Sequence, residues 1–352
     1  MNKILIVFAV TSILQVQALA QTLVAKVKSL HSEMWGYIDI DGKTIVSPMF
    51  DQCFPYSSVG LAAVYDRDNR QYYFIDLKGN RIKTEIKDFK LIDRMGFSLE
   101  DFSDGLIPVE IDNKWGFMNT QGKLVIPAEY DYVNGFGEGK SVVLKRKTFY
   151  ILDTDGTALK LNTPEIKEVR KFSEGLAPFE TIGGYGFINQ EGQIVIKPRF
   201  KTVGYFKNGF AWARSDDGKL GFIDAEGSWV IKPQFSFAGN FDKTSGLARV
   251  KLGEKWHYVD KNGKLHRFSD TTVWEDFSEG LALGKKNGNF GFFNNTGEWI
   301  IEPSLDGARD FKNGYAAAKR GGKWGVIDTS GKWVITPAFM NVYDMELVDK
   351  SN

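Results

Sequence analysis

The chain has 352 residues, 43% apolar and 25% charged, a globular composition that excludes a disordered chain. Its 45 basic and 44 acidic residues nearly cancel, so no general pull toward nucleic acid or anionic lipid is expected. Aromatics are abundant, with 27 Phe, 13 Tyr and 9 Trp, and 37 Gly suit a backbone that turns often.

In chain order, the first feature is MNKILIVFAVTSILQVQALA. Lys3 gives a positive start, residues 4–14 an apolar stretch, and Ala18-Leu19-Ala20 a small-x-small cleavage pattern. Residues 1–20 therefore read as an export signal, placing the protein in the periplasm or outside the cell. The apolar stretch is shorter than the roughly 20 residues of a spanning helix. Gln21 rather than Cys after the cut argues against a lipoprotein. Cys53 is the sole cysteine, so no internal disulfide is possible, and a buried, inert thiol is expected.

From residue 21 to 339 the chain repeats itself nine times. One glycine ladder runs Gly42, Gly79, Gly122, Gly156, Gly192, Gly227, Gly263, Gly297 and Gly331. A second lies between its rungs, as in FSDGLIPV, FSEGLAPF and FKNGFAWA. Each unit of about 35 residues reads as three short strands, typified by LAxV, WGFID and KxVIxP. Period-two alternation puts Trp and Phe of the second strand on one face, Gly and Ile on the other. Helical signals are almost absent; residues 163–172 offer one possible turn.

Three residues before each rung of the first ladder stands Asp or Asn. That is the spelling of an Asx-stabilised hairpin turn rather than a calcium loop, whose distal acidic ligand is missing. Trp-Gly at one strand position suggests an aromatic ring laid over each glycine by a neighbouring strand or unit. The proline closing the third strand removes a backbone donor and ends pairing.

These residues resemble the bacterial WG repeat family, whose pattern is similar to G-L-A-x-V-…-K-W-G-F-I-D-x-x-G-K-x-V-I-x-P-x-F. The resemblance spans about residues 23–339. It implies a β-rich array used as an interaction module, with no established catalytic residues to transfer. Copies two, four and seven depart from it, with Tyr72-Tyr73, Phe149-Tyr150 and Trp256-His257 at the Trp-Gly position and no closing proline. Copy two also carries the longest insertion, residues 84–102. The candidate binding residues are therefore Phe89, Arg94, Phe97 and Phe102 in the insertion, with Phe149, Tyr150, Trp256 and His257 in the degenerate copies.

The histidines His31, His257 and His266 form no metal motif, and no nucleophile elbow, P-loop or dinucleotide fingerprint is present. Neither catalytic residues, a metal nor a cofactor is expected. The fold expected is all-β: an open solenoid of three-stranded antiparallel units, with a closed propeller-like ring as the alternative and residues 340–352 a tail or extra strand. The function expected is an exported, non-enzymatic scaffold for a protein or cell-envelope polysaccharide, without nucleic acid or membrane insertion. A stalk-like spacer is the alternative reading, and an enzyme of unknown type the third.

Overall fold

The link between each closing proline and the next unit is itself a short strand. The computed structural model describes residues 21–94, 98–163, 165–268 and 270–350. In it Tyr132–Val133, Glu168–Val169, Thr202–Val203, Phe237–Ala238 and Gly307–Ala308 each pair antiparallel with the LAxV-type strand that follows. Among the described residues there are nine sheets of three or four strands, one two-stranded hairpin and no helix. Numbered in chain order, sheet 5 is typical: Glu168–Val169, Leu176–Thr181, Gly184–Asn189 and Ile194–Phe200, side by side in that order. Residues 165–172 contribute its first strand and no helical turn.

Sheet 1 takes its first strand from the far end of the chain. Asn341–Asp349 pairs antiparallel with Gln21–Lys28, setting Gln21 opposite Asp349 and Val27 opposite Val342. The architecture is thus a closed nine-bladed propeller, and the open solenoid of three-stranded units is corrected. The fourth strand brings each unit up to blade size, and the C-terminal strand is the missing first strand of blade 1.

Apolar packing follows the same circuit. Nine clusters of buried side chains form nine interfaces between successive blades. The ninth joins Ala317, Val326 and Ile335 of blade 9 to Ala25, Ile38, Val342 and Met345 of blade 1. A WGFID-type strand is therefore covered on both sides, its Phe on one face and its Ile on the other as the alternation reads. Phe187 packs with Val203 and Phe206 of blade 6, whereas its neighbour Ile188 packs with Val142 and Ile151 of blade 4.

An aromatic ladder runs between the blades, on different residues from those expected. The Phe of WGF meets the Phe that follows the next blade's first strand edge-on: Phe117–Phe136 and Phe187–Phe206 at 4.8 Å, Phe292–Phe311 at 4.7 Å. Such pairs add about 0.5–1.5 kcal/mol each beyond the area they bury. The Trp-Gly glycine has another cause. A Cβ on Gly186 would lie 2.3 Å from the Ile196 carbonyl oxygen and 2.8 Å from the Pro198 nitrogen. The fourth strand bulges over the glycine, since Tyr185 pairs with Phe200 but Phe187 with Ile196. Glycine and proline are two halves of one bulge. Blade 4 lacks both, and Tyr150, Ile151 and Leu152 there pair in unbroken register with Lys160, Leu159 and Ala158.

The Asx turns form as the sequence reads. The Asp39 Oδ1 accepts the N–H of Asp41 and Lys43 at 3.1 and 2.8 Å, and Gly42 takes φ 76°. The second glycine ladder makes the two-residue hairpin between first and second strands. In blade 5 Ser173 and Leu176 exchange both backbone hydrogen bonds across Glu174 (φ 54°) and Gly175 (φ 77°). Left-handed backbone costs a glutamate about 1 kcal/mol, and the carboxylate's reach accounts for it. Glu138 of blade 4 accepts the N–H of Glu174 and Gly175 at 2.6 and 2.8 Å. Glu174 accepts those of Asn208 and Gly209 in blade 6 at 2.6 and 2.9 Å. Glu279 of blade 8 does the same for Asn313 and Gly314. Glu174→Ala should therefore lose about 1–2 kcal/mol in urea unfolding. An unchanged midpoint would show that the carboxylate belt does not tie the blades.

Candidate functional site

The link through the first strand of each blade carries a buried anchor at the blade interface, such as Phe172 or Phe206. The residue just before the anchor defines the axial position. From blade 2 to blade 9 that position holds Pro55, Asp101, Gly135, Lys171, Tyr205, Asn240, Asp276 and Asp310, and in blade 1 it holds Asp344. Five of these residues, Pro55, Asp101, Lys171, Tyr205 and Asn240, line one or both of two cavities. One, of about 630 Å³, is lined by Glu100, Asp101, Lys171, Tyr205, Lys207 and Asn240, side chains from blades 3, 5, 6 and 7. The other, of about 470 Å³, is lined by Lys26, Trp35, Tyr56, Asp101, Lys312, Tyr343 and Glu346, among others.

The insertion supplies the groups shared by both. Glu100 is buried, and its Oε1 lies 2.6 Å from Lys171 Nζ. Any Cβ at residue 135 would come within 2.2 Å of that oxygen, so Gly135 leaves room for it. Asp101 is exposed, but onto the cavity rather than bulk solvent. Burial among the blades pushes its carboxyl up to about 7; the Phe102 N–H donating to it opposes this, and Glu346 and Glu100 add to it. An aspartate in the unfolded chain titrates near about 3.9. Ionising Asp101 thus disfavours the folded state increasingly as pH rises from 4 to 7, and fully above 7. Asp101→Asn should raise the melting temperature at pH 8 and leave it unchanged at pH 4; an equal rise at both would assign the effect to something other than this charge.

Charge is distributed unevenly round the axis. Blades 8, 9 and 1 present Asp276, Asp310 and Asp344 at the axial position, and Asp310 is raised first by burial, then by Glu275, Asp276 and Asp344. Arg249 pairs with both Glu275 and Asp276 at 2.9 Å. Among the described residues no three side chains form a metal-ligating group. Blades 5, 6 and 7 present Lys171, Tyr205 and Asn240 instead.

The Trp-Gly aromatics lie half-buried outside this ring of axial residues, as platforms for cations. The Arg170 guanidinium is 5.2 Å from the Tyr185 ring and 5.3 Å from Tyr205, and donates to the Val203 carbonyl of the next blade. Arg309 repeats the arrangement between Trp324 and Tyr343, and donates to the Val342 carbonyl. In blade 1 Lys26 takes this part, 4.4 Å from Trp35 and 3.8 Å from Tyr343, with burial lowering its amine to about 8. Lys26 also donates to the Cys53 carbonyl. The Cys53 thiol is buried and pushed up to about 11, mainly by that burial. It should resist iodoacetamide at pH 8 in the native protein and react fully in urea.

The residues singled out in the sequence divide. Phe89, Phe102 and Phe149 are buried, Phe89 stacking on Phe74 and Phe102 meeting it edge-on, so these three serve the core. Tyr150 is half-buried and lines an outer groove with Glu129, Tyr130 and Lys145. Trp256 lies against Arg249 and Phe237. His257, whose Nδ1 has no hydrogen-bond partner, is lowered by burial and by Arg267 and Lys255. Arg94 sits in the short hairpin opposite Ser98, and Phe97 lies outside the described residues. The insertion does reach the axis, but through Glu100 and Asp101. Sequence reasoning missed the axial position altogether. Its signal was available: one place in an otherwise repeating phrase changes charge from copy to copy.

Comparison with known proteins agrees with the architecture. A eukaryotic initiation factor structure superposes with a TM-score of 0.61 at 13% identity, over 93% of this chain and 98% of that one. AztD from Citrobacter koseri gives 0.41 at 12% identity, over 94% and 98%. At such identities likeness speaks for fold alone, and the second score carries no argument. No curated protein matches the sequence. The family model described as "WG containing repeat" matches residues 35–69, 98–115, 115–148, 185–219, 221–256, 290–324 and 324–346, more than half of the chain. The protein belongs to the WG containing repeat family.

Proposed function

We propose that this propeller is an exported, non-enzymatic binding scaffold that engages a protein or glycan of the cell envelope at the mouth of its axial channel. One observation carries the reading. Core and turns repeat from blade to blade, while the axial residue runs from Asp through Gly and Lys to Tyr and Asn. The fold does not need that variation, and a ligand meeting all the blades at once would. Export rests on the leader-like residues 1–20. A spacer is less well supported, because a closed ring does not lengthen by adding units.

The test is retention from a solubilised envelope fraction by residues 21–352, with a double variant Lys171→Ala/Tyr205→Ala as the control. A protein or polysaccharide held by the wild type and lost by the variant supports the reading. Equal retention by both, or none, removes it.

A further inference from the structure

We propose that the Lys171–Tyr205–Asn240 arc of the axial channel is a subsite for a carboxylate-bearing saccharide, of the uronic-acid kind. The inference rests on the scaffold reading above and names its ligand class. Three successive blades present these side chains at one register position, all lining the cavity of about 630 Å³, within the range of small-ligand sites. Tyr205 is an exposed ring in that wall, 38% accessible, and the Arg170 guanidinium against it keeps the ring in place. Sugar rings turn C–H faces to such a platform, and a fixed aromatic supplies contact area at low entropic cost.

Asn240 is exposed beside it, with both amide donor and acceptor character suited to hydroxyls. The charged end has its own argument. Lys207 is exposed on the cavity and forms no ion pair among the described residues. Lys171 already holds a carboxylate, that of Glu100 at 2.6 Å, which shows the chemistry its position accepts. Two carboxylates share this cavity: Glu100, neutralised by Lys171, and Asp101, whose carboxyl burial pushes up to about 7, so that at pH 6 Lys207 leaves the cavity net positive. An acidic peptide shares the charge but makes no use of the Tyr205 face, so it enters as an alternative outcome.

The experiment titrates residues 21–352 calorimetrically with a short oligogalacturonate, its neutral methyl ester, and a glutamate-rich peptide. The free-acid saccharide should bind, and binding should weaken with added salt. The ester should bind roughly tenfold more weakly or worse, as should the acid to Tyr205→Ala and to Lys207→Ala. Both side chains are exposed, and thermal melts will show that these variants fold. Lys145→Ala on the outer groove should bind like wild type. Equal affinity for acid and ester, indifference to Tyr205→Ala or Lys207→Ala, or preference for the peptide would each overturn the proposal. No saccharide binding overturns it too, while the scaffold reading then stands or falls separately on the envelope retention.

Discussion

Gly186→Ala is expected to destabilise the propeller by about 3 kcal/mol, a large effect for one methyl group. The added carbon would sit 2.3 Å from the Ile196 carbonyl oxygen, which belongs to backbone and has no flexible end to swing aside. Relief requires the fourth strand of blade 5 to withdraw. Ile196 and Phe200, on either side of the bulge, are 2% and 3% exposed in the interface with blade 6, so withdrawal disturbs that core as well. Gly116→Ala and Gly325→Ala meet the same geometry in blades 3 and 9. Tyr150→Gly is the reverse control. Blade 4 has no bulge, so the change should cost about 1 kcal/mol, from lost side-chain packing and added backbone freedom. Urea midpoints at constant m-value give the comparison. A loss below about 0.5 kcal/mol for Gly186→Ala would falsify the bulge account.

Ending the chain after Met340 should abolish cooperative unfolding. The excised strand buries Val342, Met345 and Val348 at 0%, 2% and 0% exposure. At about 1.5–3 kcal/mol for each side chain, the loss is about 5–9 kcal/mol, comparable with the whole stability of many domains. Deletion also bares the edge of Gln21–Lys28, a ready template for aggregation. An open array would respond differently, since removing a terminal strand affects only its neighbour. Calorimetry separates the two. One sharp transition, shifted by a few degrees, would mean that the ring does not depend on its clasp. Adding a synthetic peptide of residues 341–352 should restore the wild-type melt.

The parts of this fold written locally were legible in the sequence. Asx turns, hairpin glycines and the three longer strands of each unit are spelled by residues within ten positions of one another. The inner strand was not, because segments such as Thr202–Val203 are two residues long and show no periodicity. Closure was legible only as the alternative reading, because its strand, Asn341–Asp349, lacks the repeat's glycine and has its partner at the other end of the chain. The Trp-Gly glycine was recognised as needing close approach, but its neighbour is a bulge formed ten residues later. The site was harder still. Lys171, Tyr205 and Asn240 look like random variation in a linker until the strands set them side by side. Pro48 and its counterparts, read as simple strand stops, prove to sit in the bulges that the glycines admit.

Because Gln21 and Asp349 face each other in one sheet, the two ends of the propeller meet at a single point on the ring. The circle therefore has no privileged beginning. Joining those ends and opening the chain between blades 5 and 6, after Phe200, keeps every interface while moving the seam. Such a circular permutant places a new terminus beside the Lys171–Tyr205 arc, whereas the natural seam lies in blade 1, within the acidic sector. Any domain fused to either native end would stand at that same sector, whichever end carried it.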